Sequence, residues 1–424
     1  MHNRLLYRRV RRTTLISLGS AAVLVGIGLV RAGWQLPDTF AVVSVVLLLF
    51  CWRRVFVIAV PVVVLCGLAL GLWRGGAIDR ELRWYARAVD QMVVLTGTVV
   101  QDSTYGNKKQ IDFMLGDVRA GDTKLPGTVR VTTFDPVQPK QGDIVSAQAK
   151  LKSGFGSYQA GLYFAKVQVV AHGDSWLAAL RRSFSAVILS VIPEPQASLG
   201  LGFLLGIKSQ LPDTLADQLK LVGLTHIVVA SGYNLTILVR AARRLLAGRS
   251  KYQATLAAVL LTAGFLGVTG FSPSMTRAAL VTSLSLTAWY YGRVIHPVLL
   301  LLFSAAVTAA ANPLFVWGDL GWYLSFLAFG GVMLGAPLVQ KRLFGDRNAP
   351  QLVQIIIETV CAELMTIPLV LWIFGGVSVV GLLANVLVTP LVPVAMLATF
   401  VAGVSAIAWP GFGAWLALPA HWVL

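Results

Sequence analysis

The sequence predicts a polytopic α-helical membrane protein with an inserted small β-barrel (OB-like) extracytoplasmic domain. Three observations carry that prediction. Hydrophobic residues make up 56% of the 424 residues and charged residues only 12%, where soluble domains carry about 25% charge. Long apolar runs recur on both sides of a central stretch, separated by short basic clusters. Between about residues 89 and 170 the texture changes to short alternating segments divided by turn residues, the pattern of strands.

From the N-terminus, Leu15–Val30 follows Arg4, Arg8, Arg9, Arg11 and Arg12. A basic cluster of this kind keeps its end of a span in the cytoplasm. No small-residue cleavage site clearly follows the apolar run, so it reads as a retained helix rather than a signal peptide. Phe40–Trp52 is short for a span and leads to Arg53-Arg54, a second inside loop; Val55–Trp73 is a third span. Three crossings from an inside start leave Arg74 outside, closing a block of N-terminal transmembrane helices over residues 1–74.

The candidate strands are Met92–Val100, Gln110–Val118, Thr128–Phe134, Asp143–Leu151 and Leu162–Val170. Five short strands at this spacing fit a small barrel such as an OB-fold, here at residues 88–174 and outside by the topology. Residues 175–222 form an amphipathic or interfacial segment. Trp176–Val191 lies in the interface or re-enters the bilayer, and Pro193-Glu-Pro195 ends it. Leu199–Ile207 is about half a bilayer long, and Pro212–Leu221 has the apolar spacing of a short amphipathic helix.

Residues 223–424 form a second helical block. Its expected spans are Leu224–Val239, Ala254–Thr269, Met275–Gly292, Pro297–Ala311, Trp317–Val339, Leu352–Phe374 and Val377–Val401, with an apolar piece to Leu424. Three basic loops, at Arg240–Lys251, Arg293 and Lys341–Arg347, all fall inside if Leu224 starts outside. That agrees with the N-terminal count.

The net charge of +17 is unevenly placed: residues 74–174 hold 13 Lys/Arg against 10 Asp/Glu, and the remainder holds 22 against 8. The excess on the helical part fits first the positive-inside bias that every such protein needs and, as a sharper reading, a path for a polyanion. Cys51, Cys66 and Cys361 all sit in apolar runs with no CxxC, as packing residues do. The five histidines do not cluster, so no metal is expected, and no motif calls for a cofactor. Gly202-Phe-Leu-Leu-Gly206-Ile-Lys208-Ser209 lacks the glycine that a phosphate loop needs before its lysine.

The expensive residues are polar groups inside apolar runs. Leu224–Thr236 carries His226, Ser231, Gly232, Asn234 and Thr236. Unsatisfied polar groups in lipid cost several kcal/mol each, about ~2–7 by transfer measurements, so the cluster must face protein or a water-filled path. A hydrolase reading pairs Ser231 with His226. Five residues at about 100° each set them roughly 140° apart on a helix, no third triad member is evident, and no catalytic residue is assigned. Asn234-Leu-Thr236 matches a glycosylation sequon, uninformative inside an apolar span.

Further along, Gly270 and Pro273 mark a turn, Ser274 is placed to cap the next helix, and Arg277 falls in its first turn. There the guanidinium either reaches the interface or binds an anion beside a pore mouth. Asp319 is placed to start a helix that carries Ser325. Glu363 suits an ion step or a buried pair, and Asn385 with Pro390 marks an interrupted helix of the kind that lines cavities.

These blocks together resemble the ComEC/Rec2 family of competence channel proteins. The resemblance rests on Leu201–Pro212, Thr225-His226-Ile-Val-Val-Ala-Ser231-Gly232, Gly270–Ala278, Asn312-Pro313 with Gly321–Phe326, Glu363–Pro368 and Gly381–Pro390, in the family's order over about residues 199–397. The barrel is similar to the family's extracytoplasmic OB-like domain. This chain departs from the pattern at Tyr233-Asn234, where Leu-His is common, and at Glu363, where Gln is common.

The resemblance implies import of single-stranded DNA across the cytoplasmic (inner) membrane during transformation. On that reading 223–424 is the channel domain, His226, Ser231, Gly232, Asn234, Arg277, Asp319, Ser325, Glu363 and Asn385 line the path, and Lys208 stands at its mouth. The implied partners are single-stranded DNA, the lipid bilayer, a DNA receptor outside, and an ATPase or nuclease on other chains. The metallo-β-lactamase-like domain of many members has no counterpart up to Leu424, so no nuclease or other enzymatic activity is expected. A transporter for a small anionic solute is the alternative from composition and charge.

Overall fold

The computed structural model describes all residues except 1–9, 52–58, 101–102, 106–109, 155–157, 174–175, 208–210, 223, 225–231, 247, 249, 270–272, 346, 348 and 377–378. The N-terminal block is α1 (Arg12–Leu29), α2 (Thr39–Cys51) and α3 (Ala59–Ala88). Helices α1 and α3 run side by side in the same direction, since Gly19 meets Val63, Gly26 meets Leu68, and Gly75 meets Val30. Their backbones nearly touch: a Cβ added at Gly71 would lie 2.2 Å from the Val23 carbonyl oxygen. Small residues permit this approach, and close packing is what associates helices in lipid. Gly67, Gly71 and Gly75 recur at every fourth position, on one face of α3.

The third helix does not stop at the membrane. It continues to Ala88, and Tyr85 and Ala88 are buried with the barrel core. The barrel strands are β1 (Met92–Val99), β2 (Thr104–Tyr105), β3 (Ile111–Ala120), β4 (Thr123–Lys124), β5 (Val129–Thr133), β6 (Ile144–Ser153), β7 (Ala160–Tyr163) and β8 (Lys166–Ala171). Five of them close a ring in the order β1-β3-β5-β7-β6 and back to β1. The β5–β7 pairing is parallel, and the other ring pairings are antiparallel. Alternate residues point inward, as the two-residue period requires: Leu95, Leu115, Val129, Val145, Leu151 and Leu162 are completely buried.

The last expected strand divides in two, because Phe164 adopts a left-handed backbone (φ 57°) between β7 and β8. Where the chain leaves the barrel, Asp143 accepts from the amides of Lys140 (2.9 Å) and Gly173 (3.1 Å) and faces the His172 ring at 3.3 Å. Burial pushes the Asp143 carboxyl up, but those amides and His172 outweigh it and hold it below the usual carboxylate range.

The second block comprises α4 (Trp176–Val191), α5 (Gln196–Leu205), α6 (Asp213–Val222), α7 (Gly232–Leu245), α8 (Lys251–Thr269), α9 (Pro273–Tyr290), α10 (Pro297–Ala311), α11 (Leu314–Gly318), α12 (Leu320–Gly330), α13 (Ala336–Phe344), α14 (Gln351–Phe374), α15 (Val379–Val388), α16 (Val392–Ala408) and α17 (Pro410–Val423). Its core gathers Ile188, Leu201, Leu235, Met275 and Met396 from five helices. Rather than lying free at an interface, α4 packs on α16: Phe184 and Ile188 fill the space beside Gly403. All of α5 from Ala197 onward except Leu199 is buried.

Among the described residues, five helical stretches are long and apolar enough to cross a membrane: Arg12–Ala32, Ala59–Ala88, Lys251–Thr269, Leu320–Phe344 and Leu352–Ile373. The interruption expected at Asn385 and Pro390 is present, and it divides the expected Val377–Val401 span: turns at Thr389-Pro390-Leu391 separate α15 from α16, because proline removes a backbone donor and clashes with the preceding turn. The Trp317–Val339 run is shifted: the Asp319 cap starts a new helix at Leu320, which continues to Phe344 through a π-helical stretch at Gly331–Gly335. Gly331 sits against the Cys361 carbonyl of α14, where a Cβ would come within 2.3 Å. Cys66 and Cys361 are both buried thiols.

Candidate functional site

The strongest site candidate forms where α7, α9 and α12 meet. Helix α9 begins at Pro273, whose fixed φ suits a first helical position. Arg277 therefore stands in the second turn, not the first, and Ser274 lies inside the helix. The Arg277 side chain is buried among the helices: the residue is only 2% exposed. Its Nη1 donates to the Gly321 carbonyl at 2.8 Å, and its guanidinium lies 5.5 Å from the Phe326 ring centroid. Among the described residues, Nε and Nη2 have no hydrogen-bond partner. Those two nitrogens share one edge of the planar guanidinium, the edge that receives both oxygens of a carboxylate or phosphate. Asp319 attracts the guanidinium electrostatically.

Asp319 is buried and caps α12, accepting from the Trp322 amide at 2.6 Å. Its placement at a helix start was legible, since a short acidic side chain satisfies an orphan amide there. Ser325 is half-buried on the same helix. Across the junction, Gly232 opens α7, and a Cβ there would meet the Cβ of Ala278, next to Arg277, at 2.7 Å. Glycine is what lets α7 approach the turn that carries the arginine.

Asn234 is 1% exposed, and its Nδ2 donates to the Phe203 carbonyl at 2.9 Å. Phe203 lies in the last turn of α5, where carbonyls have no partner within the helix. Asn234 thus ties α7 to the end of α5, beside the left-handed Gly206 that terminates it. Glu363 and Asn385 form a separate cluster. Asn385 donates to the Glu363 carboxylate, and the Thr389 hydroxyl donates to the Asn385 oxygen at 3.1 Å, linking α14 to α15. His226, Ser231 and Lys208 lie outside the described residues. No group of His, Cys, Asp and Glu among the described residues could hold a metal ion.

Sequence reasoning missed the contacts that seat this block on the N-terminal helices. Arg74 Nε and Nη2 donate to the carbonyls of Ala310 (2.8 Å) and Ala311 (3.0 Å), at the C-terminal end of α10. Trp317 Nε1 donates to the Ile27 carbonyl at 2.9 Å. The only local signals were a basic residue ending an apolar run and a tryptophan inside one; the partners lie more than two hundred residues away.

The barrel carries a second candidate surface. Phe134 and Phe164 stack with centroids 5.6 Å apart and are both exposed. Beside Phe164, a recess of about 200 Å³ is lined by Met92, Lys150, Tyr163 and Lys166 among others.

Apolar helices long enough to cross a membrane and a closed five-stranded barrel define a multi-pass membrane protein with a small barrel domain. The competence protein family matches residues 203–424, just over half the chain, and the chain belongs to that family. It is also similar to ComE operon protein 3 of Bacillus subtilis (strain 168), 22% identical over 227 residues, covering 53% of this chain and 28% of that protein. No solved structure matches it.

Proposed function

We propose that the protein conducts single-stranded DNA across the cytoplasmic membrane during natural transformation, with the N-terminus inside and the OB-like barrel outside. The observation that carries this reading is the buried Arg277 with one unpaired guanidinium edge, at a junction within the family-matched segment. An unpaired buried cation is costly, and intramembrane ionisable groups mark substrate paths. A backbone phosphate supplies the two oxygens that edge accepts. A small anionic solute would present the same chemistry; family membership favours DNA.

On this reading the barrel receives the strand. Exposed Phe134 and Phe164 offer faces for base stacking, about 1–3 kcal/mol per base, with Lys150 and Lys166 near the phosphates. The chain acts as a conduit rather than an enzyme, and any motor or nuclease belongs to other chains. Gly232, Ser325 and Asp319 shape the junction; His226 and Ser231 extend it.

The test is entry of labelled single strand into a deletion strain carrying Arg277→Gln. Loss of one charge-assisted contact, ~1.5–3 kcal/mol, should cut entry by about 10- to 100-fold at equal protein level. Normal entry in that strain removes Arg277 from the path. Unchanged DNA entry with lost uptake of a small anion would favour the solute transporter.

A further inference from the structure

Helices α1, α2, α3 and α10 enclose an apolar groove of about 350 Å³ that takes no part in the junction above. Its walls include Leu15, Gly19, Val23, Leu48, Leu70 and Val307, and Arg12 stands at one end. The lining comes from the N-terminal halves of α1 and α3, the C-terminal part of α2, and the C-terminal half of α10 from Phe303 to Ala310. The Arg12 end of the groove is the end at which α1 and α3 begin, next to the basic pair Arg11-Arg12.

From Arg12 to Val23, α1 advances about 16 Å at ~1.5 Å per residue. That is close to one leaflet, about half of a ~30 Å hydrocarbon core. The groove is therefore as deep as one acyl chain is long, apolar along its length and basic at the headgroup level. It is also large enough for a small ligand, ~300–1,000 Å³. We infer that it is a binding site for one anionic phospholipid, with an acyl chain against Gly19 and Val307 and the headgroup at Arg12.

The test uses the full chain in nanodiscs containing phosphatidylglycerol, phosphatidylcholine and a photoactivatable phosphatidylglycerol. Crosslinks should concentrate on peptides covering residues 12–23 and 303–310; labelling spread evenly over α14 and α16 overturns the site. Native mass spectrometry then counts retained lipid. Val307→Trp, at an exposed position that fills the groove, should abolish the retained phosphatidylglycerol. Arg12→Gln should weaken it by about five-fold, the equivalent of ~1 kcal/mol per interfacial basic residue, and leave phosphatidylcholine unchanged. Retention of phosphatidylglycerol by Val307→Trp, or equal loss of both lipids in Arg12→Gln, overturns the assignment. A Val307→Trp protein that fails to fold leaves the crosslinking map and Arg12→Gln to decide.

Discussion

Gly26 sits at the closest crossing of α1 and α3. A Cβ placed there meets the Leu68 carbonyl oxygen at 2.4 Å, and Gly71 Cα and Leu72 N at 3.0 Å. These are backbone atoms, so no side chain can swing aside. Ordinary van der Waals contact begins near 3.4 Å, so Gly26→Ala must push the helices apart by about 1 Å, in an interior packed too tightly to absorb it. Overpacking of this kind costs ~1–3 kcal/mol. Gly28, two residues on in the same helix, has nothing within 4 Å of its Cβ position. Both alanines gain similar helix propensity, about 1 kcal/mol, so the difference between them isolates the steric cost. Titration of the two purified proteins with denaturing detergent, read by tryptophan fluorescence, should show Gly26→Ala less stable than Gly28→Ala by ~1–3 kcal/mol. Equal stability of the pair would mean that α1 and α3 do not cross through these glycines.

Two further outcomes follow from polar contacts. Arg74→Met removes two charge-assisted hydrogen bonds to the α10 end and should lower stability by ~1.5–3 kcal/mol, while Arg74→Lys, which lacks the fork, recovers only part of it in the same titration. Asp143 is held below its ordinary range in the folded barrel, so its contribution is full above the unfolded carboxylate value of about 4 and is lost as pH falls through the lower, folded value. Protection factors of barrel amides in the full chain should fall in acid for the wild type, and Asp143→Asn should lower them already at neutral pH and flatten that acid response.

The parts of the fold with local causes were legible in the sequence. Alternation located the barrel strands to within a few residues, because a two-residue period needs no knowledge of the partner. Asp319 and Pro297 announced helix starts, and apolar length gave the early spans. Phe164's left-handed turn was missed, since an aromatic carries no signal for positive φ. Arg277 was placed one turn too early because Ser274 competes with Pro273 for the helix start. Asn234 stood out as a costly polar group, but its partner, the Phe203 carbonyl, exists only once α5 and α7 pack. The unpaired edge of Arg277 is a property of the junction, set by where Gly321 falls; no spacing rule encodes it. The glycines of α3 at every fourth position were readable and were overlooked.

Helix α3 spans 30 residues, about 45 Å at ~1.5 Å per residue, and its last turn is embedded in the barrel core. The barrel is thus mounted on a rigid mast rather than hung on a linker. A pull on anything held by the barrel bends or tilts that mast as a whole. The load passes down α3 to the glycine seam with α1 and, through Arg74, into the end of α10. Tension on the barrel therefore reaches the helices beside the arginine junction through one unbroken helix and two hydrogen bonds.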